Sequence, residues 1–184
     1  MAKVIYGPII SEARGKLGDI ILNRNRGGNF ARALSLTPPA AAPLQGASII
    51  TSDDVELPTE TETIISFDTE LYDIGGLHDP TTNPTRLTIK SAGVYLVAAA
   101  ADCEYPDPQA NFAYIQKNST TTLAFQALNH TTSDEITWGL AWLGLLAAND
   151  YIEFTIYNRG ASSAYAYFYS PWTPLFTVQQ LTAT

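Results

Sequence analysis

From residue 61 onward the chain is cut into short runs of β-branched and aromatic residues by Gly, Pro, Asn and Asp, the punctuation of strands joined by turns. The pattern predicts strands at 61–67, 86–89, 94–103, 112–117, 123–128, 136–146, 151–157, 164–169 and 175–181. No segment repeats its apolar residues with the 3.6-residue period of a capped helix, so almost no helix is expected. Strands in this number and at this spacing predict an all-β fold, an antiparallel two-sheet jelly-roll sandwich.

Alternation within the strands indicates which sides are buried. In 151–157 the set Ile152, Phe154, Ile156 is apolar and Tyr151, Glu153, Thr155, Tyr157 is amphipathic, so the first set faces the core. In 136–146 both registers are apolar: Ile136, Trp138, Leu140, Trp142 on one side and Gly139, Ala141, Leu143, Leu145 on the other. A strand of an antiparallel sandwich has one wet face as a rule, so two dry ones imply that another subunit or the chain's own N-terminal segment covers the outer side. Tyr165, Tyr167 and Tyr169 form a further candidate contact, because tyrosine combines a large apolar area with a polar tip.

The segment from Thr37 to Pro43 is rich in Pro and Ala and favours extended polyproline conformation. It divides the chain into an extended N-terminal arm (1–36), a Pro/Ala-rich linker (37–59) and the jelly-roll body (60–184). Within the arm, 4–10 and 18–22 read as short strand-like pieces, with too few apolar residues for a core of their own.

Charge separates the same regions. The net charge is −8. The first 34 residues hold six basic and two acidic residues, and the remaining 150 hold four basic and sixteen acidic. A basic arm on an acidic body points to docking of the arm on an acidic protein surface. Arg14, Lys16, Arg24, Arg26 and Arg32 are the candidate docking residues, since guanidinium groups pair with carboxylates in bidentate fashion. Nucleic acid is not the expected partner, because that requires a denser basic patch with aromatics among it.

Little in the sequence suggests catalysis. Cys103 is the single cysteine and sits among apolar strand residues, the setting of a buried, inert thiol. His78 and His130 are the only histidines. They accompany no nucleophile elbow, no paired zinc ligands and no phosphate-cradling glycine loop, so no catalytic residue, no cofactor and no enzyme activity is expected. The acidic cluster Asp68, Glu70, Asp73, Asp79 lacks the spacing of a calcium loop. It reads as a solvated loop with Asp-Pro and Asn-Pro turns, and no metal site is assigned. No secretory signal and no apolar run of membrane-spanning length is evident, so a product made in the cytoplasm, without a membrane partner, is expected.

Two stretches carry a resemblance. Phe67-Asp68-Thr69-Glu70-Leu71-Tyr72-Asp73, Gly75-Gly76-Leu77-His78-Asp79, the run Thr82 to Ile89 and Ala92-Gly93-Val94-Tyr95-Leu96-Val97 resemble the opening strands of the tumour-necrosis-factor/complement-globular-head jelly roll, over roughly residues 60 to 182. On that resemblance, Gly144 to Asn149 leading into Asp150-Tyr151-Ile152-Glu153-Phe154 is the penultimate hairpin. In the arm, Gly15-Lys16-Leu17-Gly18-Asp19-Ile20 and the run Asn23 to Arg32 are similar to a segment of small tailed-phage proteins. Together the two resemblances imply a homotrimeric virion protein, assembled in the host cytoplasm. It would be a capsid decoration (cement) protein bound through its arm to the major capsid protein or another virion protein, or alternatively a fibre or tail-tip head recognising a host-surface glycan through Tyr165, Tyr167, Tyr169 and Trp172. The trimer interface expected is Trp138, Leu140, Trp142, Tyr151, Tyr157, Tyr165 and Tyr167.

Overall fold

The computed structural model describes residues 23–24, 30–31, 43–132, 134–168 and 174–183. The chain divides into two units, Met1–Pro43 and Leu44–Thr184. In the first, β1 (Asn23–Arg24) pairs antiparallel with β2 (Phe30–Ala31). The expected strands at 4–10 and 18–22 lie outside the described residues.

The second unit is an antiparallel sandwich of β3 (Gly46–Ile50), β4 (Val55–Leu57), β5 (Thr61–Ile64), β6 (Thr69–Ile74), β7 (Arg86–Thr88), β8 (Gly93–Tyr105), β9 (Ala110–Lys117), β10 (Thr121–Asn129), β11 (Asp134–Leu146), β12 (Tyr151–Asn158), β13 (Ala164–Ala166) and β14 (Leu175–Ala183). Among the described residues there is no helix. One sheet runs β10-β9-β12-β5, with β7 beside β5 on the same edge of β12. The other runs β4-β13-β8-β14-β3-β6, with β11 on the opposite edge of β8. Every strand pair is antiparallel, the arrangement the alternating pattern predicted.

The body begins earlier than the Pro-rich signal suggested. The stretch read as linker contains β3, which pairs with β14 and β6, and β4, which pairs with β13. Ala47, Ile49 and Leu57 are fully buried, so burial of these few side chains makes this stretch part of the core. β6, read as an acidic loop, is the edge strand beyond β3.

Inside the sandwich the inward set of β8 is Tyr95, Val97, Ala99, Ala101, Cys103 and Tyr105, all buried. Ile152, Phe154 and Ile156 of β12 are buried too, as alternation required. Phe176 of β14 packs on Phe67 at 5.7 Å and on Phe154 of the facing sheet at 6.4 Å between ring centroids, which ties the layers together. The small Ala101 stands opposite Trp138 in the ladder. Trp138 is fully buried and its indole N–H donates to the Tyr105 hydroxyl at 3.1 Å.

The link from β11 to β12 is not a hairpin. β11 pairs with β8 in one sheet and β12 with β9, β5 and β7 in the other, so residues 147–150 carry the chain across the sandwich. Asp150 holds this corner: it accepts from the Ala147 amide at 2.9 Å and from Asn118 Nδ2 at 2.9 Å, and Lys117 Nζ stands 3.6 Å away. Burial disfavours its charged form, but these donors outweigh that effect and hold its carboxyl below the ordinary value of 3.8.

Candidate functional site

The two sheets present outer faces of different character. On the seven-stranded sheet, β8 carries no charge between Gly93 and Ala101, nor does β11 between Ile136 and Leu146. Their outward residues are Val94, Leu96 and Ala98 beside Ala141, Leu143 and Leu145, paired Leu145–Val94, Leu143–Leu96 and Ala141–Ala98. Leu143 and Leu145 are 60% and 68% exposed and Leu96 is 42% exposed. On edge strand β6 of the same sheet, Leu71, Tyr72 and Ile74 are exposed as well. Directly opposed apolar side chains that all face solvent form a patch, unlike scattered surface leucines. Further along the same two strands polar residues return: Thr137 Oγ1 donates to Asp102 at 2.5 Å, and Glu104 stands opposite Glu135.

The five-stranded sheet shows aromatic rings instead. Phe125, Phe112 and Tyr157 lie side by side, with centroids 5.8 and 6.0 Å apart and interplanar angles of 24° and 10°. Tyr114 joins at 5.3 Å from Phe125. The Tyr157 hydroxyl donates to Glu60 at 2.9 Å, and that bond, with some burial, pushes the phenol above its ordinary range. These rings contact one another, while Phe125 stays 55% exposed.

The expected trimer-interface residues are not brought together. Trp138 and Leu140 point into the chain's own core, and Trp142 is partly buried against it, so the outward register is the other one, Ala141, Leu143, Leu145. The indole of Trp142 occupies the space a side chain at Gly144 would need. Tyr151 and Tyr157 lie on the five-stranded sheet, Tyr151 beneath the Arg86 guanidinium at 4.6 Å. Tyr165 of β13 is exposed beside Glu104 and Glu56 on the seven-stranded sheet. The Tyr167 amide donates to the Asp102 carbonyl at 2.9 Å. Tyr169 and Trp172 lie outside the described residues, as do Arg14, Lys16, Arg26 and Arg32. Arg24 belongs to β1. Phe112, Tyr114 and Phe125 escaped the sequence reading, although their period-2 spacing on predicted strands was the available signal.

The titratable residues singled out from the sequence serve structure. Cys103 is buried, and burial pushes its thiol up to about 12, a value at which no thiolate is available for chemistry. His130 accepts from Asn111 Nδ2 at 3.0 Å through Nε2 and donates to the Thr132 carbonyl at 2.7 Å through Nδ1, which assigns the neutral tautomer with its proton on Nδ1. In the acidic loop, Asp73 accepts from the amides of Leu77 and His78, Asp79 from those of Thr81 and Thr82, and Asp68 from Ser52 and Thr69, while Glu70 meets His78 Nδ1 at 3.1 Å. The Thr82 and Thr81 amides hold the Asp79 carboxyl below 3.8. At Asp68 burial acts the other way, but the Ser52 and Thr69 bonds prevail and lower it too. These carboxylates shape the turns that follow β6, where Gly75 and Gly76 take positive φ angles of 110° and 67°.

No family model and no curated protein matches the chain. Solved structures do. Murine APRIL is 11% identical with a TM-score of 0.59, covering 76% of this chain and 100% of that one. The Eiger TNF from S. frugiperda is 14% identical with a TM-score of 0.55, covering 78% and 96%. The globular domain of zebrafish complement 1qA is 10% identical with a TM-score of 0.51, covering 76% and 99%. At such identities the likeness concerns architecture alone: residues 44–184 fold as a jelly roll of the tumour-necrosis-factor/complement-globular-head type.

Proposed function

We propose that the chain is a non-enzymatic structural component of a virus particle: a homotrimeric capsid decoration (cement) protein. Three bodies pack through the aliphatic outer faces of their seven-stranded sheets, and the basic arms attach the trimer to the major capsid protein. The observation that carries this reading is the uncharged patch Leu96, Leu143, Leu145, exposed on one chain and built from opposed strand residues. A soluble chain leaves such a face bare at the risk of aggregation, whereas symmetric association buries it. Attachment through the arm rests on the charge separation between arm and body and on the arm's similarity to tailed-phage proteins. Trimerisation would multiply three weak arm contacts through effective concentration.

Sedimentation of the full chain, alone and with purified capsids, tests both halves. The expected result is three times the 19.9 kDa chain mass and co-sedimentation with capsids. Deletion of residues 1–36 is expected to preserve the trimer and abolish capsid binding. A monomeric full chain, or undiminished binding by the truncated one, overturns the reading.

A further inference from the structure

The body holds only four basic residues, Arg86, Lys90, Lys117 and Arg159, and two of them line one pocket. It has a volume of about 320 Å³ and lies between the loop after β6 and strand β7, with Asp79, Asn83, Thr88 and His78 also in its wall. That volume falls at the lower end of small-molecule sites, roughly 300–1,000 Å³. Among the described residues neither Arg86 nor Lys90 forms an ion pair. Arg86 is register partner to Glu153, yet the Glu153 carboxylate accepts from Ser119 Oγ at 2.7 Å. The Arg86 guanidinium is held over the Tyr151 ring, with its centre 4.6 Å from the ring centroid. A guanidinium fixed by stacking and without a carboxylate partner in the wall of a pocket is arranged for an oxyanion.

We infer that this pocket binds a small, singly charged, hydroxyl-rich carboxylate: an acidic sugar. The lining selects this class. Arg86 and Lys90 bring two positive charges and Asp79 one negative, which matches a monoanion better than a phosphate dianion. Both His78 ring nitrogens are engaged, Nδ1 with Glu70 at 3.1 Å and Nε2 facing the Pro84 carbonyl at 3.4 Å, so the imidazole is wall and not ligand. Asp79, Asn83 and Thr88 then offer acceptors and donors to ring hydroxyls, while Arg86 and Lys90 hold the carboxylate. The inference goes beyond the particle-attachment reading and does not depend on it, since every residue invoked belongs to one body.

Calorimetric titration of the full chain with D-glucuronate, D-glucose and inorganic phosphate at low salt tests it. Lys90 is exposed, so Lys90→Gln leaves the fold intact, and Arg86→Met keeps an apolar group on Tyr151. Glucuronate is expected to bind saturably with a Kd of roughly 1 mM or below, about tenfold tighter than glucose and tighter than phosphate. Lys90→Gln is expected to weaken it about fivefold, Arg86→Met to abolish it, and added salt to weaken it further. Should Arg86→Met fold poorly by thermal melting, Lys90→Gln and the salt dependence decide. Three results overturn the inference: no glucuronate binding at about ten times that concentration, equal or tighter binding of glucose or phosphate, or glucuronate binding that Lys90→Gln leaves unchanged.

Discussion

The outer faces of the two sheets handle exposed apolar area in opposite ways. On the five-stranded sheet Phe112, Phe125 and Tyr157 stack on one another, and the Tyr157 hydroxyl is occupied by Glu60. On the seven-stranded sheet Leu143 and Leu145 stand 60% and 68% exposed, beside Leu96 and Val94. Rings gain an extra 0.5–1.5 kcal/mol or so per pair from their geometry, whereas aliphatic side chains gain only from being taken out of water, at about 25 cal/mol per Å². The aromatic face is therefore partly satisfied within one chain. The leucine face stays more exposed, and that asymmetry is why the proposed trimer seam is placed on it.

The sharpest way to break this contrast is a charge on the leucine face. Leu143→Glu places a carboxylate at the centre of the proposed seam, where three copies would have to bury it unpaired, at a cost of several kcal/mol each. The expected outcome is complete conversion to monomers in sedimentation, with the β-sheet circular dichroism kept because Leu143 contributes little to the core. An unchanged trimer mass would place the seam elsewhere.

Which register of β11 is outward is legible in the sequence, and it is not the register expected at the interface. Ile136, Trp138, Leu140 and Leu146 share one apolar parity, whereas the opposite parity starts at Glu135 and Thr137 before it reaches Leu143 and Leu145; polar residues at one end of a set mark the wet side. Strands with strong alternation, such as 151–157, and the all-β class followed directly from the sequence. The start of the body did not, because proline ahead of Gly46–Ile50 read as linker while the pairing of that strand with Leu175–Gln179 and residues 69–74 is non-local. The hairpin expected at the corner 147–150 rested on the family resemblance, and a turn sequence does not state whether the next strand returns to the same sheet. The pocket beside Arg86 has no local signature at all: Asp79 and Lys90 meet there only through the loop path and the placement of β7 on β12.

A smaller effect is expected on the aromatic face. Phe125→Ala removes two ring contacts, at 5.8 Å with Phe112 and 5.3 Å with Tyr114, from a residue that is 55% exposed. The loss of stability is expected to be about 1–2 kcal/mol, read by denaturant unfolding, with the sedimentation mass unchanged. Dissociation of the trimer by this variant would reverse the roles of the two faces.

The smallest effect concerns the corner that sends β11 and β12 to opposite layers and so separates the two faces. Asp150 is held there by Ala147, Asn118 and Lys117, with its folded carboxyl below the unfolded value of 3.8. A depressed carboxylate binds protons more readily in the unfolded chain, so its contribution is fully present above that unfolded value and is lost as pH falls through the folded one. Asp150→Asn removes the titration while keeping an acceptor for the Ala147 amide. The stability gap between wild type and variant is expected to be constant from pH 7 to about 5 and to shrink below pH 3.8. Unfolding midpoints measured across that range check it: a gap that widens as the solution is acidified would mean that Asp150 is not the charged anchor of the crossing between the sheets.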